Sequence, residues 1–140
     1  MNRIDVRVAD WQKSNSDIRR IREAVFINEQ SVPPELEWDS EDATAVHFLA
    51  EEDNYAVGTA RLLSGGEIGR VAVMRDWRGM NVGDLLMRAV IAEAERRGLA
   101  PLRLVAQTQA TAFYQRHGFV VTSEEFLEAG ISHVEMLRQL

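Results

Sequence analysis

The sequence predicts one α/β (or α+β) domain, with a mixed, twisted central sheet of about six or seven strands flanked by about four helices. Three observations predict it. Short alternating or β-branched runs at Ile4–Val8, Thr44–Ala50, Tyr55–Leu63 and Ile68–Val73 have the period of strands. Two longer stretches, one through Ile18, Ile21 and Val25 and one from Val82 to Arg97, have the period of helices. The resulting order, β-α-β-β-β-α-β-α-β-β, sets helices between strands, so helices must cover the sheet. A chain of 140 residues is expected to form a single domain, residues 1–140, with room for a sizeable core.

Each element has its own signals. Ile4–Val8 alternates apolar and polar, as a half-buried strand does. Asn15, Ser16 and Asp17 are helix-start residues, and the stripe that follows runs to about Asn28. Ser31-Val32-Pro33-Pro34 stops that helix. Glu35–Asp42 reads as an acidic loop or short helix. Thr44–Ala50 and Tyr55–Leu63 form a hairpin through Glu51-Glu52-Asp53-Asn54, and Ser64-Gly65-Gly66 turns the chain into Ile68–Val73. The helix from Val82 is expected to bury Leu85, Leu86, Ala89, Val90 and Ala94 and to end at Gly98. Leu102–Ala106 is a strand, Thr108–Arg116 a helix, and Phe119–Thr122 and Val134–Leu140 are late strands. Ser123–Ser132 reads as an acidic connection.

Composition narrows the function. Hydrophobic content of 46% and charged content of 27% are ordinary for a globular protein. The absence of cysteine excludes disulfides, thiolate metal sites and a cysteine nucleophile. No two candidate ligands show metal-site spacing, so no metal is expected. Met1–Asp5 has no apolar signal core and no run is long enough to span a membrane, which makes cytoplasmic location the expectation. The net charge of −6 argues against a nucleic-acid partner. It is unevenly spread: residues 70–116 hold eight arginines against four acidic residues, the rest eight basic against eighteen acidic. A basic phosphate site beside an acidic substrate face would suit a phosphate-rich coenzyme and a cationic acceptor, although ordinary solvated surface gives the same pattern.

The most informative stretch runs from Arg70 to Asp84: a β-branched strand, a basic turn, then Arg78-Gly79-Met80-Asn81-Val82-Gly83-Asp84 opening a helix. A helix start presents unpaired N–H groups and the positive end of its dipole, so it can hold an anion. Gly79 and Gly83 remove side chains that would keep a phosphate away. Gly83 is followed by Asp84 and Leu85, not Lys-Ser/Thr, so this is no nucleotide-hydrolase P-loop. Taken alone, the loop is equally readable as a structural turn.

A second signature lies downstream, where Leu102–Ala106 runs into Gln107, Ala110, Tyr114, Gly118 and Phe119. With Arg78-x-x-Asn81-x-Gly83 in the right order before it, the chain resembles the GNAT superfamily of N-acetyltransferases. Arg22–Pro33, Glu35–Asp39 and Phe126–His133 resemble its ElaA/YjcF-like branch. Asn81 stands where the family has glycine, and asparagine is the residue that best tolerates a left-handed backbone after glycine. Gln107 replaces the usual asparagine and reaches further.

The resemblance implies acetyl-CoA as cosubstrate and a primary amine, on a small molecule or peptide, as acceptor. The amides from Gly79 to Asp84 (Gly79, Met80, Asn81, Val82, Gly83 and Asp84) would cradle the pyrophosphate, with Arg78 setting the loop. The edge at Val71, Ala72 and Val73 would pair with pantetheine, Gln107 would contact the coenzyme, and Tyr114 would touch it and serve the departing thiolate. For the base, His133, Glu29 and Glu128 are the candidates. His47 reads as structural, and His117 is expected to face solvent. Trp38, Asp39, Glu41 and Asp42 could wall a cationic acceptor, or Arg22 could bind an acidic one; the two predict opposite substrate charges. Lacking cysteine, the enzyme is expected to use direct attack in a ternary complex. The alternatives are a non-catalytic acyl-CoA-binding or regulatory domain and a structural domain without coenzyme. Edge-strand pairing could make a homodimer.

Overall fold

A computed structural model describes residues 3–139. The strands are β1 (Ile4–Ala9), β2 (Val46–Glu52), β3 (Tyr55–Leu62), β4 (Glu67–Val73), β5 (Leu102–Gln107), β6 (Val120–Val121), β7 (Phe126–Glu128) and β8 (Ile131–Arg138). The helices are α1 (Trp11–Arg22), prolonged by a π-helical segment (Glu23–Glu29), then α2 (Pro34–Glu37), α3 (Val82–Arg96) and α4 (Thr111–Gln115). One eight-stranded sheet has the order β1-β2-β3-β4-β5-β8-β6, with β7 also paired to β8. Only β4 and β5 are parallel, because α3 crosses over between them; the other pairs are antiparallel.

The predicted class holds, and three details change. First, α1 begins one turn earlier than Asn15. Asp10 caps it by accepting from the Gln12 amide at 2.9 Å, while Asn15 sits inside the first turns and donates to the Gln12 carbonyl. Second, α3 buries Val82, Leu86, Met87, Val90, Ile91 and Ala94. The core-facing stripe is turned about one position from the predicted one, leaving Leu85 and Ala89 half-buried. Third, the acidic connection contains a strand. Ala129 and Gly130 both take positive φ, 51° and 76°, and fold Phe126–Glu128 back on β8 in a two-residue hairpin. The strand was hidden because Phe126-Leu127-Glu128 is too short to show a period, and its partner supplies the pairing.

The core lies on both faces of the sheet. On one, α3 covers Phe48, Val57, Leu62, Ile68, Leu104 and Met136. On the other, Ile18, Ile21 and Val25 cover Leu49, Ala56 and Ala72. Phe48 and Leu49 are neighbours on β2 yet belong to opposite clusters, as strand alternation requires when both faces are dry.

Candidate active site

β4 and β5 pair only at Glu67/Arg103 and Ile68/Leu104; past those residues no ladder joins them. A bulge contributes. The β3–β4 register shifts between Thr59 and Arg61, and Arg70 takes φ +53°. Bulges bend and twist a strand locally, which turns β4 out of line with β5. Between the diverging strands lies a cavity of about 500 Å³. Its walls include Ile68–Val71 of β4, Leu104–Gln107 of β5, Phe26, Gln30 and Glu37 of the first helical layer, and Tyr114, Glu128 and His133. The edge of β4 that carries Val71, Ala72 and Val73 pairs with β3 on one side and is open on the other. Ala72 is buried under α1, while Val71 and Val73 are half-buried.

The chain leaves β4 into the loop before α3. Arg78 shapes it: Nε donates to the Val73 carbonyl at 3.0 Å, and both terminal nitrogens donate to Glu29, each at 2.9 Å. Gly79 has φ +77° and Asn81 φ +64°, so the left-handed asparagine keeps the turn as expected. No side chain caps α3, which leaves the amides of Val82, Gly83 and Asp84 to other partners. A Cβ at Gly79 would meet nothing within 4 Å. At Gly83 it would stand 3.2 Å from the Phe113 ring, so this glycine also lets α4 pack close to α3. The Asp84 carboxylate accepts from His117 Nε2 at 2.8 Å and lies 3.5 Å from Arg116. The His117 hydrogen bond, with help from Arg116, holds that carboxyl below its usual range. His117 therefore does not face solvent. It ties the end of α4 to the start of α3, with its ring against Phe113.

Five sequence candidates line the cavity: Val71, Gln107, Tyr114, Glu128 and His133. Tyr114 packs edge-on against Phe113 and Phe119, and burial pushes its hydroxyl up to about 12. Gln107 uses its extra length to reach across to the π-helical segment's end, donating to Gln30 Oε1 at 2.6 Å and accepting from Gln109. His133 is buried, stacks on Phe126, and its Nδ1 lies 2.6 Å from the Ile131 carbonyl. A carbonyl only accepts, so Nδ1 carries a proton, and in the neutral ring Nε2 is the basic nitrogen. Nε2 lies 4.0 Å from Glu128 Oε2.

A family model described as an acetyltransferase (GNAT) domain matches residues 12–140. The chain belongs to the GNAT acetyltransferase family. It is 36% identical over 135 residues to "Uncharacterized N-acetyltransferase YjcF" of Bacillus subtilis, covering 94% of this chain and 96% of that protein. Among solved structures it is similar to an acyl-CoA N-acyltransferase from Pseudomonas aeruginosa, with TM-score 0.87, 32% identity, and 97% and 99% of the two chains covered. It is also similar to Escherichia coli ElaA, with TM-score 0.86, 28% identity, and 99% and 100% covered. These likenesses place it in the ElaA/YjcF-like branch of GNAT enzymes, which are acetyl-CoA-dependent acyltransferases.

Within this GNAT fold several candidates have other work. Both Glu29 oxygens are taken by Arg78, whose hydrogen bonds hold the carboxyl below its usual range. That pairing opposes proton abstraction, so Glu29 braces the loop and does not fit the expected base. Arg22 does not meet a substrate. It is 1% exposed and donates to Glu37 Oε2, Asp42 Oδ1 and the Glu37 carbonyl at 2.7, 2.7 and 2.8 Å. The expected acidic wall is spent the same way: Asp42 and Asp39 accept from Arg61 at 3.0 and 2.8 Å, and Asp39 also accepts from Arg70 at 3.2 Å. Trp38 lies under the guanidiniums of Arg19 and Arg22, and Glu41 is exposed. His47 is structural, as expected: it is buried, stacked on Trp11 and bonded to the Asp42 carbonyl. Burial lowers its affinity for a proton.

Sequence reasoning missed Gln30, Glu37 and Arg70 as cavity residues. The available signals were Gln30 and Glu37 lying within the branch-like Arg22–Pro33 and Glu35–Asp39 stretches. The described residues hold no group of three or more His, Cys, Asp or Glu arranged for a metal ion. None of their helices is long and apolar enough to cross a membrane.

Proposed function

We propose that this protein moves an acetyl group from acetyl-CoA to a primary amine, by direct attack of the amine in a ternary complex. One observation carries the reading: β4 and β5 part after Ile68 and Leu104 around a cavity lined by Tyr114 and His133, and β4 continues past its open edge into the loop that leads to an uncapped helix start. The residues present fit the coenzyme. The open edge at Val71, Ala72 and Val73 offers strand-type hydrogen bonds to the amides of the pantetheine arm. The uncapped amides at the start of α3 offer hydrogen bonds to a phosphate, and Gly79, with open space around it, brings no side chain to crowd one. Arg78, held by Glu29 and the Val73 carbonyl, keeps the loop in shape.

Acetyl-CoA supplies the thioester; this chain supplies orientation and proton handling. His133 Nε2 accepts the proton of the acceptor ammonium, directly or through water, and Glu128 then faces the imidazolium. Tyr114 donates a hydrogen bond to the departing sulfur. A tyrosine at about 12 facing a thiol near ~8.5 makes full proton transfer uphill by roughly 5 kcal/mol, so Tyr114 stabilises charge and keeps its proton. With no cysteine in the chain, no cysteinyl acyl-enzyme competes with direct transfer.

The test pairs binding with turnover. Acetyl-CoA at ~100 times its Kd should stabilise the protein by roughly 2.7 kcal/mol in a thermal-shift measurement. A thiol-release assay over a diverse amine library should then show acetyl transfer. Stabilisation without turnover would leave a non-catalytic acyl-CoA-binding domain. The absence of both would remove the coenzyme from the picture.

A further inference from the structure

Arg22, the residue expected to meet an acidic acceptor, spends its donors on Glu37 and Asp42. Arg61 does not. It lines the cavity, is 4% exposed, and makes both of its hydrogen bonds from Nη1, to Asp39 at 2.8 Å and Asp42 at 3.0 Å. Its Nε is buried without an acceptor, and its Nη2 donates to no described residue. Nε and Nη2 together form the side-on edge of a guanidinium, the fork that takes a carboxylate through two parallel N–H bonds. Arg70 is partly used. Its Nη2 donates to the Leu36 and Glu37 carbonyls and to Asp39, while its Nε lies 3.1 Å from Glu37 Oε2 without hydrogen-bond geometry. A buried donor with no acceptor is costly, so these groups call for an oxygen from outside the chain. Charge does not oppose one. Arg22, Arg61 and Arg70 match Glu37, Asp39 and Asp42 in number, and the other cavity acids, Glu67 and Glu128, are exposed to water.

Room for a ligand lies beside the empty edge. Arg61 on β3 stands directly opposite Gly69 on β4, so the two side-chain positions share one face of the sheet. Gly69 lines the cavity too, and a Cβ there would meet nothing within 4 Å. Its φ is not positive, so no turn requires glycine at this place; the missing side chain leaves space. Ile68 is level with Leu104, and His133 is level with Gln107. Gly69 and His133 are therefore about two residues apart along the sheet, or ~7 Å. We infer that the acceptor is an amino acid, whose carboxylate fills the space over Gly69 against the Nε–Nη2 edge of Arg61 while its amine meets His133. This inference rests on the transferase reading and adds the substrate class.

Two matched pairs of probes differ only by the carboxylate: 5-aminopentanoate with n-butylamine, and L-leucine with 3-methylbutylamine. In at least one pair the acid should show kcat/KM about tenfold above the plain amine, the low end for a hydrogen bond to a charged group. Gly69→Leu fills the space without touching Arg61, and should cut that advantage about tenfold while the acetyl-CoA thermal shift stays intact. Arg61→Gln should cut it likewise. Comparing the ratio between variant and unmodified protein cancels the basicity of each amine, and a purely structural role for either residue would leave the ratio unmoved. Equal turnover within both pairs by the unmodified protein, or a ratio unchanged in Gly69→Leu, would overturn the inference and leave the transferase intact. No acetyl-CoA shift together with no turnover of any amine would overturn the reading beneath it, and the inference with it.

Discussion

Two walls of one cavity handle charge in opposite ways. On the side of α1, the π-helical segment and α2, three arginines (Arg22, Arg61 and Arg70) interlock with Glu37, Asp39 and Asp42. On the side of β5, β7 and β8, Glu128, His133 and Tyr114 stand with few or no charged partners. The first arrangement holds irregular backbone in place, since a π-helical segment and a four-residue helix have few internal hydrogen bonds to spend on rigidity. The second keeps proton-handling groups available. Charges that pair with each other build the wall, and the groups left without partners are the ones we propose to serve the ligand.

The largest expected effect breaks the paired wall. Arg22→Ala leaves Glu37 and Asp42 buried without their shared partner and should cost about 3–5 kcal/mol, read from urea unfolding. A loss below about 1 kcal/mol would show that the cluster is incidental. The next effect is pH-dependent. Burial pushes the Asp42 carboxyl up, but hydrogen bonds and charges from Arg22 and Arg61 outweigh it and hold the group below its usual range. A carboxyl depressed in the folded state contributes stability above its unfolded value of ~3.9 and loses it as pH falls through the folded value. Asp42→Asn should therefore be destabilised at neutral pH, and the gap to the unmodified protein should close below about pH 4. A gap that stays constant down to pH 2 would contradict the pairing.

The unpaired side answers in rate. Tyr114→Phe should lower kcat about tenfold, the worth of one charge-assisted hydrogen bond, with the Kd for acetyl-CoA unchanged. An unchanged kcat would take Tyr114 out of the chemistry. The smallest effect completes the contrast. Glu128→Gln should alter unfolding free energy by no more than about 0.5 kcal/mol, because its carboxylate is 62% exposed and contacts only His133 among the described residues. A stability loss as large as that of Arg22→Ala would erase the distinction between the walls.

Much of this was legible in the chain. The strand before Arg75, the left-handed Asn81 and the helix from Val82 followed from β-branching, turn chemistry and period. His133, Gln107 and Tyr114 were named and do share the cavity. The errors have one character. Arg22 and Asp42 stand in the sequence as alternative substrate contacts because a charged residue in a polar stretch looks free until its partner is known, and Arg22 finds its partners 15 and 20 residues away with no repeating period. Glu29 looked like a base for the same reason; Arg78, which occupies it, is 49 residues distant. β7 escaped because a three-residue strand exists only through its neighbour.

The long strands, the two main helices and the left-handed turn before α3 are local properties, written in spacing and backbone preference, and the sequence determined them unaided. Which carboxylates are neutralised and which face the cavity was decided by tertiary structure alone. The free energy of a charge depends on what lies within a few ångströms of it, and that neighbourhood forms only when distant segments pack.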